Sequence, residues 1–162
     1  NGVTILPLSV LANAAGAELT WDGENAAARL KLDGAVPPQA DYDQTDLYWL
    51  SHIISAESRG ELLLGQIAVG NVVLNRVASG QFPNTVKEVV FDRKYGVQFE
   101  PVSNGTIYDR PTDSAMLAAK LCLEGAAPVG DSLYFYAPAL SAGTWISTSR
   151  AYYTTGCHKF YG

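Results

Sequence analysis

From Thr45 onward the apolar residues recur at three- and four-residue steps. Leu47, Leu50, Ile53 and Ile54 fall on one face, with Thr45 or Asp46 as the N-cap, and the pattern predicts a helix ending near Ser58-Arg59-Gly60. Residues 62–78 are apolar on nearly every side, which places a second helix at the centre of the domain, and the run stops at Ser79-Gly80 before Pro83. The capping box Thr85-Val86-Lys87-Glu88 announces a third, shorter helix with Val86, Val89 and Val90 turned inward. Between Tyr95 and Asp109 the period changes to two, and Asn104-Gly105 predicts the turn of a β-hairpin made irregular by Pro101. Helix returns over Thr112–Glu124, closed by Gly125, with Met116, Ala119 and Leu123 on one side. The remainder, Leu133 to Tyr161, is aromatic and rich in turn residues, without a helical period.

Ahead of this block, residues 1–34 read as a small strand, helix, strand, strand unit: Val3–Leu8, Ser9–Ala15 closed by Gly16, Ala17–Trp21, then a turn at Asp22-Gly23 into alternating Ala26, Ala28, Leu30 and Leu32. Such a unit is too small to bury a core of its own. Asp33 to Asp43, with Gly34, Pro37 and Pro38 and no apolar period, reads as a linker. The expected division is an accessory segment at 1–34, a linker at 35–44 and the main domain at 45–162.

Composition narrows the function classes. With 162 residues, 48% hydrophobic and 17% charged, the chain suits one water-soluble globular body, and no apolar run approaches the roughly 20 residues of a membrane span. A net charge of −5 without a basic cluster argues against nucleic acid as a partner. The chain opens at Asn1 without an export leader, which is expected either to have been removed or to lie outside this sequence. Cys122 and Cys157 fit one disulfide or two free thiols equally well, and no Cys/His cluster has structural zinc spacing.

Glu57 stands out as candidate chemistry. It follows Ile54, Ile53 and Leu50 by three, four and seven positions, so its carboxylate continues the apolar face of the first main helix. It also lies in the last helical turn, where the macrodipole disfavours negative charge. Both effects raise its proton affinity, which suits a general acid. The plainer alternative is a glutamate at a frayed helix end, turned to water or paired with Arg59 or Arg76.

Two segments carry a resemblance: Tyr48–Glu61, containing Ala56-Glu57-Ser58-Arg59-Gly60-Glu61, and Gly65–Val77, containing Leu74-Asn75-Arg76-Val77. With Phe82-Pro83-Asn84-Thr85, Gly96-Val97-Gln98-Phe99, Leu133–Pro138 and Gly156-Cys157-His158-Lys159-Phe160, they resemble the SleB/CwlJ family of spore-cortex and cell-wall hydrolases over about residues 46 to 161. The resemblance implies an α+β, lysozyme-like and mainly helical fold with a small β-hairpin or sheet. It implies a secreted monomer, without a cofactor or metal, that cleaves peptidoglycan glycan strands in cell wall or spore cortex as a lytic transglycosylase, with Glu57 as acid and base. Such chemistry needs no second carboxylate, although Glu61, Asp92, Glu100, Asp109 and Asp113 are candidates for one, and Glu100 comes first among them. Gln98, Phe99, Tyr134, Tyr136 and Trp145 are the expected substrate-binding residues, since sugar grooves use aromatic faces and amides. In a strand, Tyr134 and Tyr136 share one face and Phe135 takes the other. Asn75 and Arg76 are expected to support the end of the apolar helix. Residues 1–34 resemble the end of a copper amine oxidase N-terminal-like domain.

Three alternatives stay open. A hydrolytic muramidase or glucosaminidase would use a second carboxylate. A zinc amidase acting on N-acetylmuramoyl-L-alanine would need Cys157 or a carboxylate beside His52 and His158. A wall-binding module would keep the fold without the reaction.

Overall fold

The computed structural model describes residues 7–34, 41–94, 96–138 and 152–162. Along the chain run α1 (Leu8–Ala15), β1 (Glu18–Asp22), β2 (Ala27–Lys31), α2 (Gln44–Ser58), α3 (Leu63–Ala78) and α4 (Val86–Val90). They are followed by α5 (Glu100–Asn104), a 3-10 turn over Thr106–Tyr108, α6 (Asp113–Leu123), β3 (Tyr134–Tyr136), β4 (Tyr152–Thr155) and β5 (His158–Tyr161).

The core is the meeting of α2, α3 and α6. From α2 it takes Leu50, Ile53 and Ile54, from α3 Ile67, Val69, Val72 and Val73, and from α6 Ala115, Ala118, Ala119 and Cys122, all buried. The inward side of α6 is thus built mainly from small residues, with Met116 and Leu123 only half-buried; short side chains let three helices approach closely. Gly70, in the middle of α3, marks the tightest approach, because a Cβ there would lie 2.7 Å from both Cys122 Sγ and Ile54 Cδ1. Across this core α4 presents buried Val86, Val89 and Val90, and Thr85 Oγ1 caps it by accepting from the Glu88 amide at 3.2 Å, as its capping box predicts.

Three expectations are corrected. The N-cap of α2 is Asp43, whose carboxylate accepts from the amides of Thr45 and Asp46, so the helix starts earlier than its apolar period. The hairpin expected over 95–109 is instead α5 and the 3-10 turn, with Tyr95 outside the described residues. Pro101 sits in the first turn of α5, where its missing N–H costs nothing, and Gly105 at φ 86° closes the helix in the left-handed region. Asn104-Gly105 is therefore a helix stop and not a hairpin turn. Finally, Leu8 opens α1 and does not end a strand; residues 3–6 of the expected strand lie outside the described residues.

Two small sheets complete the fold. β1 and β2 pair antiparallel from Glu18↔Lys31 to Asp22↔Ala27, and nearly every residue in them is exposed. In the second sheet the order is β3-β5-β4, so the last strand in sequence lies in the middle. Its Phe160 and Tyr161 are buried, and Phe135 of β3 packs on Phe160 with centroids 5.8 Å apart. One polar edge of α3 fastens the lead-in to this sheet. Asn75 Nδ2 donates to the carbonyls of Gly130 (2.7 Å) and Ser132 (2.9 Å), and Asn71 Oδ1 accepts from the Val129 amide at 3.3 Å. Asn75→Ala leaves two carbonyls without their donor and is expected to cost about 2 kcal/mol. A fall in the thermal midpoint of roughly 4–8 °C in calorimetry would show it.

Candidate active site

Glu57 occupies the penultimate position of α2, half-buried, one helical turn beyond Ile53 and Ile54. Its carboxyl is pushed up to about 7, first by burial and then by the negative charge of Glu100, with the Arg76 guanidinium pulling the other way. A group poised there donates a proton near neutrality and survives as a carboxylate afterwards. No direct ion pair to Arg59 or Arg76 ties it up among the described residues.

The expected neighbours are only partly assembled. Glu100, exposed at the start of α5, is close enough for its charge to act on Glu57. Gln98 is half-buried and its amide nitrogen donates to the Gly96 carbonyl at 3.2 Å. Phe99 does not line a cleft: it is 2% exposed, with its ring 5.2 Å below the Arg76 guanidinium and 6.3 Å from Phe135. Its place in the alternation of Val97 and Phe99 marks a core anchor ahead of α5 and not a sugar platform. Tyr134 and Tyr136 are half-buried on one face of β3, the first over Arg76 at 5.6 Å and the second stacked on Tyr161 at 5.8 Å, with Phe135 opposite. Trp145 lies outside the described residues.

Two groupings lay beyond the sequence reading. Arg76, 5% exposed, is caged by the rings of Phe82, Phe99 and Tyr134, and its Nε donates to the Leu133 carbonyl at 2.7 Å. Glu61, Cys157 and His158 form the other: their donor atoms lie within 4.8 Å of one another, a set that could share one cation. Burial pushes the Glu61 carboxyl up, but bonds from the Cys157 thiol and amide and the neighbouring His158 outweigh it and leave the carboxyl below its ordinary value. Burial in turn favours the neutral His158 ring, so at neutral pH its 3.3 Å contact with Glu61 is a hydrogen bond more than an ion pair. His52 stands apart, stacked on Tyr48 with its Nδ1 2.7 Å from the Tyr48 carbonyl. Both cysteines are free thiols, and Cys122 donates to the Ile67 carbonyl from the core.

Residues 60–161 match a family model described as Cell Wall Hydrolase. The chain belongs to that family. A spore cortex-lytic enzyme of Bacillus cereus is 39% identical over 119 residues, which are 74% of this chain and 45% of the relative. Another from Oceanobacillus iheyensis is 35% identical over 119 residues, 74% of this chain and 42% of the relative. The cell wall hydrolase chain thus spans less than half the length of these curated relatives. The solved catalytic domain of the germination-specific lytic transglycosylase SleB from Bacillus anthracis superposes with a TM-score of 0.66 at 38% identity, covering 78% of this chain and 100% of that one. The Bacillus cereus SleB catalytic domain gives 0.66 at 37%, covering 77% and 94%. The cell wall hydrolase fold is accordingly the expected α+β, lysozyme-like one. The likeness of residues 1–34 to a copper amine oxidase N-terminal-like domain finds no support among these relatives. No helix among the described residues is long and apolar enough to cross a membrane.

Proposed function

We propose that residues 45–162 form a catalytic domain that cleaves peptidoglycan glycan strands as a lytic transglycosylase, with Glu57 as acid and base. The observation that carries the reading is the half-buried Glu57 carboxyl raised to about 7 at the end of α2. In the forward step its proton passes to the glycosidic oxygen as the bond from that oxygen to the anomeric carbon breaks. The carboxylate left behind takes the proton of the sugar's own C6 hydroxyl while that oxygen bonds to the anomeric carbon. A 1,6-anhydro end forms and Glu57 regains its proton. Gln98, Tyr134 and Tyr136 are assigned to substrate, and Trp145 is retained with them on its sequence context. The 1–34 segment is accessory, and the protein works outside the membrane as a single chain, where the wall polymer is. Its relatives' names point to spore cortex, and mass spectrometry of digested cortex and vegetative wall tests the assignment: anhydro-muramyl ends are expected, whereas reducing ends alone would overturn it.

One observation favours a second reading. Glu61, Cys157 and His158 offer the three donors of a catalytic metal, as an amidase would need. Stem peptides freed in the same digest, with loss of activity on chelation, would select it.

Glu100→Gln separates one carboxylate from two. Removing the negative neighbour lowers the proton affinity of Glu57, so the alkaline limb of the pH–rate profile is expected to move to lower pH while activity falls less than about tenfold. A loss of about a thousandfold would make Glu100 a second catalytic carboxylate.

A further inference from the structure

Arg76 is the least expected charge in the protein. It lies near the end of α3, a largely apolar and buried helix, and is 5% exposed. Its guanidinium carbon lies 4.8 Å from the ring centre of Phe82, 5.2 Å from Phe99 and 5.6 Å from Tyr134. These rings come from three separate parts of the chain, and Nε is fixed by the Leu133 carbonyl at 2.7 Å. Nη1, by contrast, is buried without a hydrogen-bond partner among the described residues. A cation recruited only to staple α3 to β3 would have its donors consumed, since a buried unused donor is costly. Replacing it with an apolar side chain of similar volume would be the cheaper way to fill such a cage.

We propose that Arg76 is a positioning residue for the Glu57 chemistry: a cation held immobile by three rings and one carbonyl, whose charge stabilises the carboxylate left after proton donation. The inference rests on the reading of Glu57 as acid and base. Other titratable groups act on this pair: Glu100 from α5 toward Glu57, and Asp92 after α4 and Tyr134 on β3 toward Arg76. Only Arg76 among them favours the Glu57 carboxylate; burial and Glu100 both oppose it. Without the caged cation the acid would hold its proton more firmly, and the base needed for the C6 hydroxyl would be scarcer. The cage supplies what a mobile lysine on the surface would lack, because the charge cannot swing away to water during turnover.

The experiment compares Arg76→Gln and Arg76→Met with Arg76→Lys, using cleavage of purified peptidoglycan and a 13C NMR titration of the Glu57 carboxyl. In the neutral variants the Glu57 titration and the alkaline limb of kcat/KM are expected to move up by about one pH unit. The loss is expected in kcat, about 10- to 100-fold, with KM changed less than about threefold. Lysine is expected to bring the titration back to within a few tenths of a unit. An unchanged Glu57 titration in a folded neutral variant overturns the proposal. So does failure of both neutral variants to unfold cooperatively on heating while Arg76→Lys behaves as wild type, because Arg76 is then a structural staple. Cleavage that survives in Glu57→Gln would defeat the reading of Glu57 instead, and the NMR titration still answers for Arg76.

Discussion

Glu57→Gln is expected to abolish glycan cleavage, by about three to four orders of magnitude in kcat, while leaving the fold intact. Glutamine has the same shape and still fills the end of the α2 face, but it carries no transferable proton. The variant should also be more stable than the wild type at neutral and alkaline pH. The unfolded glutamate loses its proton near its ordinary 4.5, whereas the folded one holds it until about 7. Between these values the unfolded chain binds fewer protons than the folded one, so this group makes stability fall as pH rises, by up to about 3 kcal/mol above 7. Below 4.5 the contribution vanishes. Thermal unfolding at pH 4.5 and pH 8 checks this: the glutamine variant should gain on the wild type at pH 8 and lose most of that gain at pH 4.5. Wild-type cleavage by a folded Glu57→Gln protein would sink the assignment.

The second large effect is expected at Gly70. A Cβ at this position meets Cys122 Sγ and Ile54 Cδ1 at 2.7 Å and Ile54 Cγ1 at 3.3 Å, closer than side chains tolerate without movement. Valine adds two further methyl groups at the point where α2, α3 and α6 converge. The helices have to separate, and Gly70→Val is expected to cost about 3 kcal/mol, at the upper end of overpacking effects. Activity should fall as well, because Ile54 lies one turn before Glu57 and cannot be displaced without moving the carboxylate. A double-mutant cycle gives the test: Cys122→Ala removes one of the two obstructing atoms and should recover part of the loss caused by Gly70→Ala. Strictly additive stabilities for that pair would show that the contact is not the cause.

The helical body was legible because its signals are local. The apolar steps of α2 and α3, the Thr85 box and Gly125 after α6 each act within one or two helical turns of the chain. Asp43 was missed as the cap of α2 because it lies outside the apolar period, where only its own carboxylate marks the start. At α5 the sequence held both readings, and a two-residue alternation around Phe99 outweighed the Pro101 to Gly105 spacing that in fact ends a short helix. The sheet of β3, β4 and β5 could not be read in this way. Its strands have three or four residues, and their pairing joins positions far apart in sequence. The same limit applies to the site. The place of Glu57 on an apolar face is a local fact, whereas the cage around Arg76 and the meeting of Glu61 with Cys157 and His158 exist only once the chain has closed. Asn71, Asn75 and Arg76 were the available hint, since polar residues toward the end of a largely apolar helix need partners from elsewhere.

Because β5 lies between β3 and β4, neither outer strand has a neighbour among the described residues until residues 158–161 have been synthesised. Leu133 is tied to that moment too: its amide donates to the Tyr161 carbonyl while its own carbonyl receives Arg76. On the ribosome, therefore, α2, α3 and α6 can collapse early, with Glu57 already in place on its helix and Phe82 and Phe99 available to Arg76, while the Leu133 and Tyr134 side of the Arg76 cage still lacks its support from β5. The surroundings of the carboxylate are completed last, so a nascent or prematurely terminated chain would carry the acid without a finished setting for it.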